Sequence, residues 1–139
     1  MGLDGQEQFF RAGSLWLQVG RYADAEKRFD RALSSPSLRF FYEALAGRGA
    51  ARYGLGRHQE GLADMESAKA FDPERALAYA LLSQAFALNG RREAALGEIR
   101  GGLEKDPENE MLLRQQNVLT HGPLGPPDPS RAQPRKWEE

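Results

Sequence analysis

The chain has 139 residues, 40% of them hydrophobic, which gives room for one domain with a real core and excludes wholesale disorder. Its 19 Lys and Arg side chains nearly cancel 20 Asp and Glu, leaving a formal net charge of −1 and no global field favouring nucleic acid or an anionic membrane. With no cysteine, a disulfide framework and a thiolate metal site are both excluded.

The chain begins MGLDGQEQFFRAG, with acidic and amide residues where a secretory leader carries a basic region and an apolar run. Gln6 stands where a myristoylation signal beginning at Gly2 needs Ser or Thr. The expectation is a cytoplasmic chain with a short extension over residues 1–5. Apolar residues at helical spacing then predict helices over about residues 5–19 and 22–34, broken at Gly20-Arg21. Helices over about 38–54 and 58–71 follow, broken at Gly56-Arg57 and stopped by Asp72-Pro73. The next two, over about 74–89 and 92–105, break at Gly90-Arg91 and stop at Asp106-Pro107, because proline cannot continue a helix but suits the start of one. A seventh helix, in ENEMLLRQQNVL at about 108–120, has no partner after it and takes the place of a cap. No stretch is apolar for long enough to span a bilayer. From Gly122 onward five prolines predict a disordered tail over 122–139. There Pro126, Pro129 and Arg131 fit a P-x-x-P-x-basic pattern that an SH3 domain could read, but Asp128 intrudes and the segment is read as a linker.

The punctuation repeats. GRHQEGLADMESAKAFDP starts at Gly56 and GRREAALGEIRGGLEKDP at Gly90, 34 residues later; GRYADAEKRFDRALSSP starts at Gly20, 36 residues before Gly56. A fixed period in this range marks stacked supersecondary units. Small residues recur seven before each turn glycine (Gly13, Gly49, Ser83), five after it (Ala25, Gly61, Ala95) and twelve after it (Ala32, Ala68, Gly102). Larger apolar residues fill the places between: Phe9, Trp16 and Phe29, then Leu45 and Met65, then Tyr79, Leu82, Phe86 and Ile99.

At these linked positions the chain resembles the tetratricopeptide-repeat (TPR) family over roughly residues 6–120. The resemblance implies an all-α fold, a right-handed superhelical α-solenoid of three helix-turn-helix units at about 6–37, 42–75 and 76–109, with a capping helix at about 108–120. It also implies protein binding and no enzymatic activity, the first helix of each repeat lining a concave surface. Many members grip the C-terminal carboxylates of heat-shock chaperones with Lys and Asn in the first repeat, Asn in the second, and Lys and Arg in the third. The matching places here hold Phe10 and Ser14, Gly47, and Leu77 and Leu81, so that clamp is not carried over.

What stands there is an apolar stripe. Phe10 and Leu17 come from the first repeat, Ala46, Ala50 and Tyr53 from the second, and Leu77, Ala80, Leu81, Gln84 and Leu88, with Ala87 beside it, from the third. The stripe is expected to be a peptide-binding groove for an apolar peptide or amphipathic helix of a partner protein. Two other readings stand beside this one: a homodimer formed through the groove or the leucine-rich third repeat, and a stripe that is partly core or covered by the chain's own end.

Two departures from the family pattern stand out. Arg48 and Arg52 replace large apolar residues; either their stems pack while the guanidinium groups reach water or a carboxylate, or they form an anion site. Glycines inside helices, at 47, 49, 54, 61, 97, 101 and 102, each cost about 1 kcal/mol relative to alanine in an exposed helix, and so predict a modestly stable array.

Sites of chemistry are not expected. GRGAAR, from Gly47, ends in Arg52 where a dinucleotide fingerprint needs its third glycine, and no strand precedes it. His58 and His121 lie in different segments, so no metal ligand pair or catalytic base is assigned, and His58 is expected to pack at a turn. Glu74, Glu93, Glu108 and Glu110 sit at helix starts, where the helix dipole favours them. Arg57, Arg91 and Arg92 lack an aromatic stacking platform, so no nucleic-acid partner is assigned, and no cofactor or metal is expected.

Overall fold

The computed structural model describes residues 5–121; the extension before Gly5 and the proline-rich tail from Gly122, with Pro126, Pro129 and Arg131, lie outside the described residues. Every regular element among the described residues is a helix: α1 (Gln6–Gln18), α2 (Tyr22–Leu33), α3 (Phe41–Gly54), α4 (His58–Phe71), α5 (Ala76–Leu88), α6 (Arg92–Lys105) and α7 (Glu110–His121). None is long and apolar enough to cross a membrane.

The repeated Gly-Arg pairs end one helix and begin the next. Gly20, Gly56 and Gly90 have φ of 80°, 87° and 76°, the left-handed region that a side chain disfavours. Each following arginine N–H then reaches back five residues, Arg21 to the Trp16 carbonyl at 2.8 Å, Arg57 to Arg52 at 2.9 Å and Arg91 to Phe86 at 2.8 Å. The same arginine's carbonyl accepts the first bond of the new helix, from Ala25, Gly61 and Ala95 respectively.

Three helix starts fall later than the sequence pattern predicts, for local reasons. Before α3, Ser35 Oγ accepts from the Ser37 N–H at 3.0 Å and Ser37 Oγ from Arg39 at 3.1 Å, turns that compete with helix until Phe41. Before α5, Asp72 Oδ1 accepts from the Glu74 N–H at 3.3 Å while Arg75 stays extended. Before α7, the Asn109 side-chain oxygen caps the helix by accepting from the Leu112 N–H at 3.0 Å.

The helices stack as pairs α1–α2, α3–α4 and α5–α6, with α7 against α5 and α6. The odd-numbered helices also touch one another in sequence, α1 to α3, α3 to α5 and α5 to α7, whereas α2, α4 and α6 do not meet. The array is therefore curved, with α1, α3, α5 and α7 on its concave side.

Close approach explains most of the helical glycines. A Cβ on Gly61 would lie 2.7 Å from the Gly49 carbonyl oxygen, and one on Gly49 would lie 2.8 Å from that of Gly61, so α3 and α4 meet backbone to backbone. The Phe29 ring, 1% exposed, fills the space that side chains at Gly13 and Gly47 would take. The expected glycine penalty thus applies cleanly only at Gly97, where nothing but the far end of Arg100 comes within 4 Å.

Arg48 and Arg52 are held by carboxylates, which removes the anion-site reading. Arg48 makes a two-pronged contact with Asp64 (Nε at 2.9 Å, Nη2 at 3.0 Å) and reaches Asp30 at 2.8 Å. Arg52 donates to Glu26 at 2.8 Å and to Asp64 at 3.2 Å, and Arg57 also bonds Glu26. The network ties α2, α3 and α4 together across the boundary between the first two pairs. Hydrogen bonds to Asp64 hold the Arg48 pKa up against the opposing effect of burial. Burial alone would raise Glu26, but hydrogen bonds and charge from Arg52 and Arg57 outweigh it and hold that carboxyl below its ordinary value.

A pH dependence follows. With its folded value depressed, Glu26 contributes stability that is full above the unfolded glutamate value of about 4.3 and is lost as pH falls through the folded value. Melting curves of the wild type should therefore drop more steeply between about pH 5 and about pH 3 than those of Glu26→Gln. Parallel curves would show that this carboxylate adds nothing.

Candidate peptide-binding groove

On the concave side the C-terminal halves of α1, α3 and α5 surround an open concavity of about 340 Å³. Leu17 enters from α1, Ala50, Tyr53 and Gly54 from α3, and Leu81, Gln84, Ala85 and Leu88 from α5. Tyr22 of α2 and Met65 of α4 complete it from behind. Position 54 carries glycine because a Cβ there would lie 2.8 Å from the Tyr22 ring. The Tyr53 hydroxyl donates to the Ala85 carbonyl at 2.9 Å, which fixes α3 against α5, and its ring stacks on His58 with centroids 4.2 Å apart. His58 thus packs at its turn. No side chain lining this concavity is charged, and Leu88 is 71% exposed at its rim.

Six of the ten residues assigned to the groove from sequence meet here: Leu17, Ala50, Tyr53, Leu81, Gln84 and Leu88. The other four do not. Ala46 is fully buried, because the Tyr42 hydroxyl donates to the Arg75 carbonyl and accepts from the Ala78 N–H, seating the start of α5 on α3 beside it. Ala80 is 1% exposed because α7 covers it, with Gln115 Nε2 donating to its carbonyl at 3.2 Å. Phe10 stacks on Phe40 with centroids 5.1 Å apart and packs on the first core cluster, and Leu77 packs against the cluster around Tyr42. The expectation that part of the stripe is core holds for Ala46 and Ala80, while Phe10 and Leu77 are half-buried.

A second concavity, of about 240 Å³, lies between α5 and α7. Ser83, Gln84 and Ala87 line it from α5, and Arg114, Gln115, Val118 and Leu119 from α7. None of its α7 residues was among those assigned to the groove from sequence. Its signal was the stripe Met111, Arg114 and Val118, at spacings of three and four, on a helix that a cap would present to water. Among the described residues no cluster of three or more His, Asp or Glu could hold a metal ion.

No family model matches the chain. It is 28% identical over 109 residues to the small glutamine-rich tetratricopeptide repeat-containing protein 2 of Mycosarcoma maydis, a match covering 78% of this chain and 30% of that protein. The chain therefore spans less than a third of that relative's length. Among solved structures it is similar to the Arabidopsis OM64 TPR domain, with a TM-score of 0.72, 18% identity and coverage of 86% of this chain and 97% of that one. It is also similar to PcrH in complex with the chaperone binding region of PopB, with a TM-score of 0.70, 18% identity and coverage of 84% and 95%. Seven helices among the described residues, in three glycine-hinged pairs and a cap, together with these likenesses, give the chain the fold of a tetratricopeptide-repeat solenoid.

Proposed function

We propose that the chain is a protein-protein interaction adaptor whose concave face takes an apolar peptide or amphipathic helix of a partner protein. The observation that carries this reading is the uncharged, largely apolar concavity, open to solvent and built by residues of five helices. PcrH, of the same fold, is named in complex with a segment of another protein, which is in keeping with such a role. The proposal excludes a carboxylate clamp: Phe10, Leu77 and Leu81 offer no donor, Gly47 has no side chain, and the Ser14 hydroxyl is already spent on the Phe10 carbonyl at 3.0 Å.

Three or four apolar anchors could each contribute about 1.5–3 kcal/mol, of which ordering and immobilising the ligand removes much, leaving micromolar affinity as the expectation. The test uses a fluorescent peptide, selected on the intact chain from a displayed library of amphipathic helices. Leu81 packs on two core clusters, so the exposed Leu88 is the cleaner place to substitute. Leu88→Glu should weaken binding by about tenfold or more with melting unchanged. Undiminished binding to Leu88→Glu would remove the groove from the function. Concentration-dependent size that Leu88→Glu abolishes would instead put a second copy of the chain in the groove.

A further inference from the structure

The concave face does not end at the first concavity. Gln84 lines both hollows, so the surface running over α1, α3 and α5 continues onto α7 with one exposed amide at the divide. Beyond that amide lie Ala87, Leu119 and Val118, the last 47% exposed, forming a second apolar lining. Neither hollow is lined by an acidic residue, and the one charged side chain in either is Arg114. Arg114 is exposed, and no carboxylate among the described residues pairs with it. Arg92 of α6, which does not line the hollow, is by contrast committed, donating to the Leu119 carbonyl at 2.8 Å and pairing with Glu93.

We propose that the α5–α7 hollow is a second subsite of the same groove, taking a further apolar anchor of an amphipathic helix whose adjacent Asp or Glu side chain pairs with Arg114. This rests on the adaptor reading above and names the partner's chemistry: two apolar anchors astride Gln84, and one carboxylate past the second. A side-chain carboxylate is the occupant because one guanidinium stands there alone. The Gln115 amide nitrogen is already donated to Ala80, so the several converging donors that would hold a chain terminus are missing. The unpaired cation also sets the direction of the ligand, since its acidic end must lie over α7.

The library of amphipathic helices is selected in parallel on the intact wild-type chain and on Arg114→Glu, and enriched peptides are synthesised and measured by fluorescence anisotropy. Wild type should enrich an acidic residue at a fixed offset from the last apolar anchor, and Arg114→Glu a basic residue at the same offset. The wild-type peptide should bind Arg114→Glu about fivefold more weakly at low salt, with the gap closing at high salt, and Val118→Glu about tenfold more weakly. Circular dichroism confirms that these exposed substitutions leave the helices intact. Peptides that need Leu88 but ignore both Val118→Glu and Arg114→Glu would overturn the second subsite and leave the adaptor reading standing. Failure to enrich any peptide, or enrichment of peptides indifferent to Leu88→Glu as well, would overturn both.

Discussion

Gly61→Ala should lower the stability of the array by roughly 3 kcal/mol, and Gly49→Ala by a similar amount, the upper range for forcing extra atoms into a packed interior. At position 61 the added Cβ would meet the Gly49 carbonyl oxygen at 2.7 Å and the Tyr53 backbone nitrogen at 2.9 Å, and neither can swing aside as a side chain could. Relief requires α3 and α4 to separate, and Met65, 3% exposed and packed at Gly49, would lose its contact with α3. The control is Gly97→Ala, in the same helical conformation with open space around it, which should gain about 1 kcal/mol from helix propensity. Urea unfolding followed by helicity reads both. Because Gly49 and Gly61 guard a single gap, the double substitution should cost less than the sum of the two. A Gly61→Ala protein as stable as wild type would mean that the two helices tolerate a wider spacing.

That contrast marks where sequence reading reaches and where it stops. The turn at Gly56-Arg57 was legible because its cause is local: a left-handed residue followed by an N–H that reaches back five positions. The late start of α3 is also local, yet a Ser-Pro-Ser stretch gives no sign of which hydroxyl will hold which N–H. The glycines show the other limit. Sequence displays the missing side chain equally at 61 and 97, and only the fold reveals a carbonyl opposite one and solvent opposite the other. The groove divides along the same line. Leu17, Ala50, Tyr53, Leu81, Gln84 and Leu88 line the concavity, at places that the TPR resemblance implied together with helical phase. Ala46 and Ala80 share that phase but lie buried, because the start of α5, seated by the Tyr42 hydroxyl, packs beside the one and α7 covers the other, and both covering segments are about 30 residues or more away in sequence.

Asp64→Ala should cost about 2 kcal/mol and loosen the boundary between the first two helix pairs. Its carboxylate is the hub of the charged network, accepting two bonds from Arg48 and one from Arg52, with a side chain 9% exposed. Removing one partner of a buried pair costs 3–5 kcal/mol when the other is stranded, roughly the upper limit here. The expected loss is smaller because Arg48 keeps Asp30, Arg52 keeps Glu26, and both guanidinium side chains remain 21% exposed. The pair itself need not be stabilising relative to apolar contact, since the TPR pattern has large apolar side chains at the positions of Arg48 and Arg52. Arg48→Met in the Asp64→Ala background should therefore recover most of the lost stability, a result that simple truncation would not give. Amide hydrogen exchange locates the effect: in Asp64→Ala, amides of α2 and the start of α4 should lose protection, while those of α5 and α6 keep theirs. Uniform loss across all helices would show instead that the array unfolds as one unit, with the network adding to global stability rather than joining two parts.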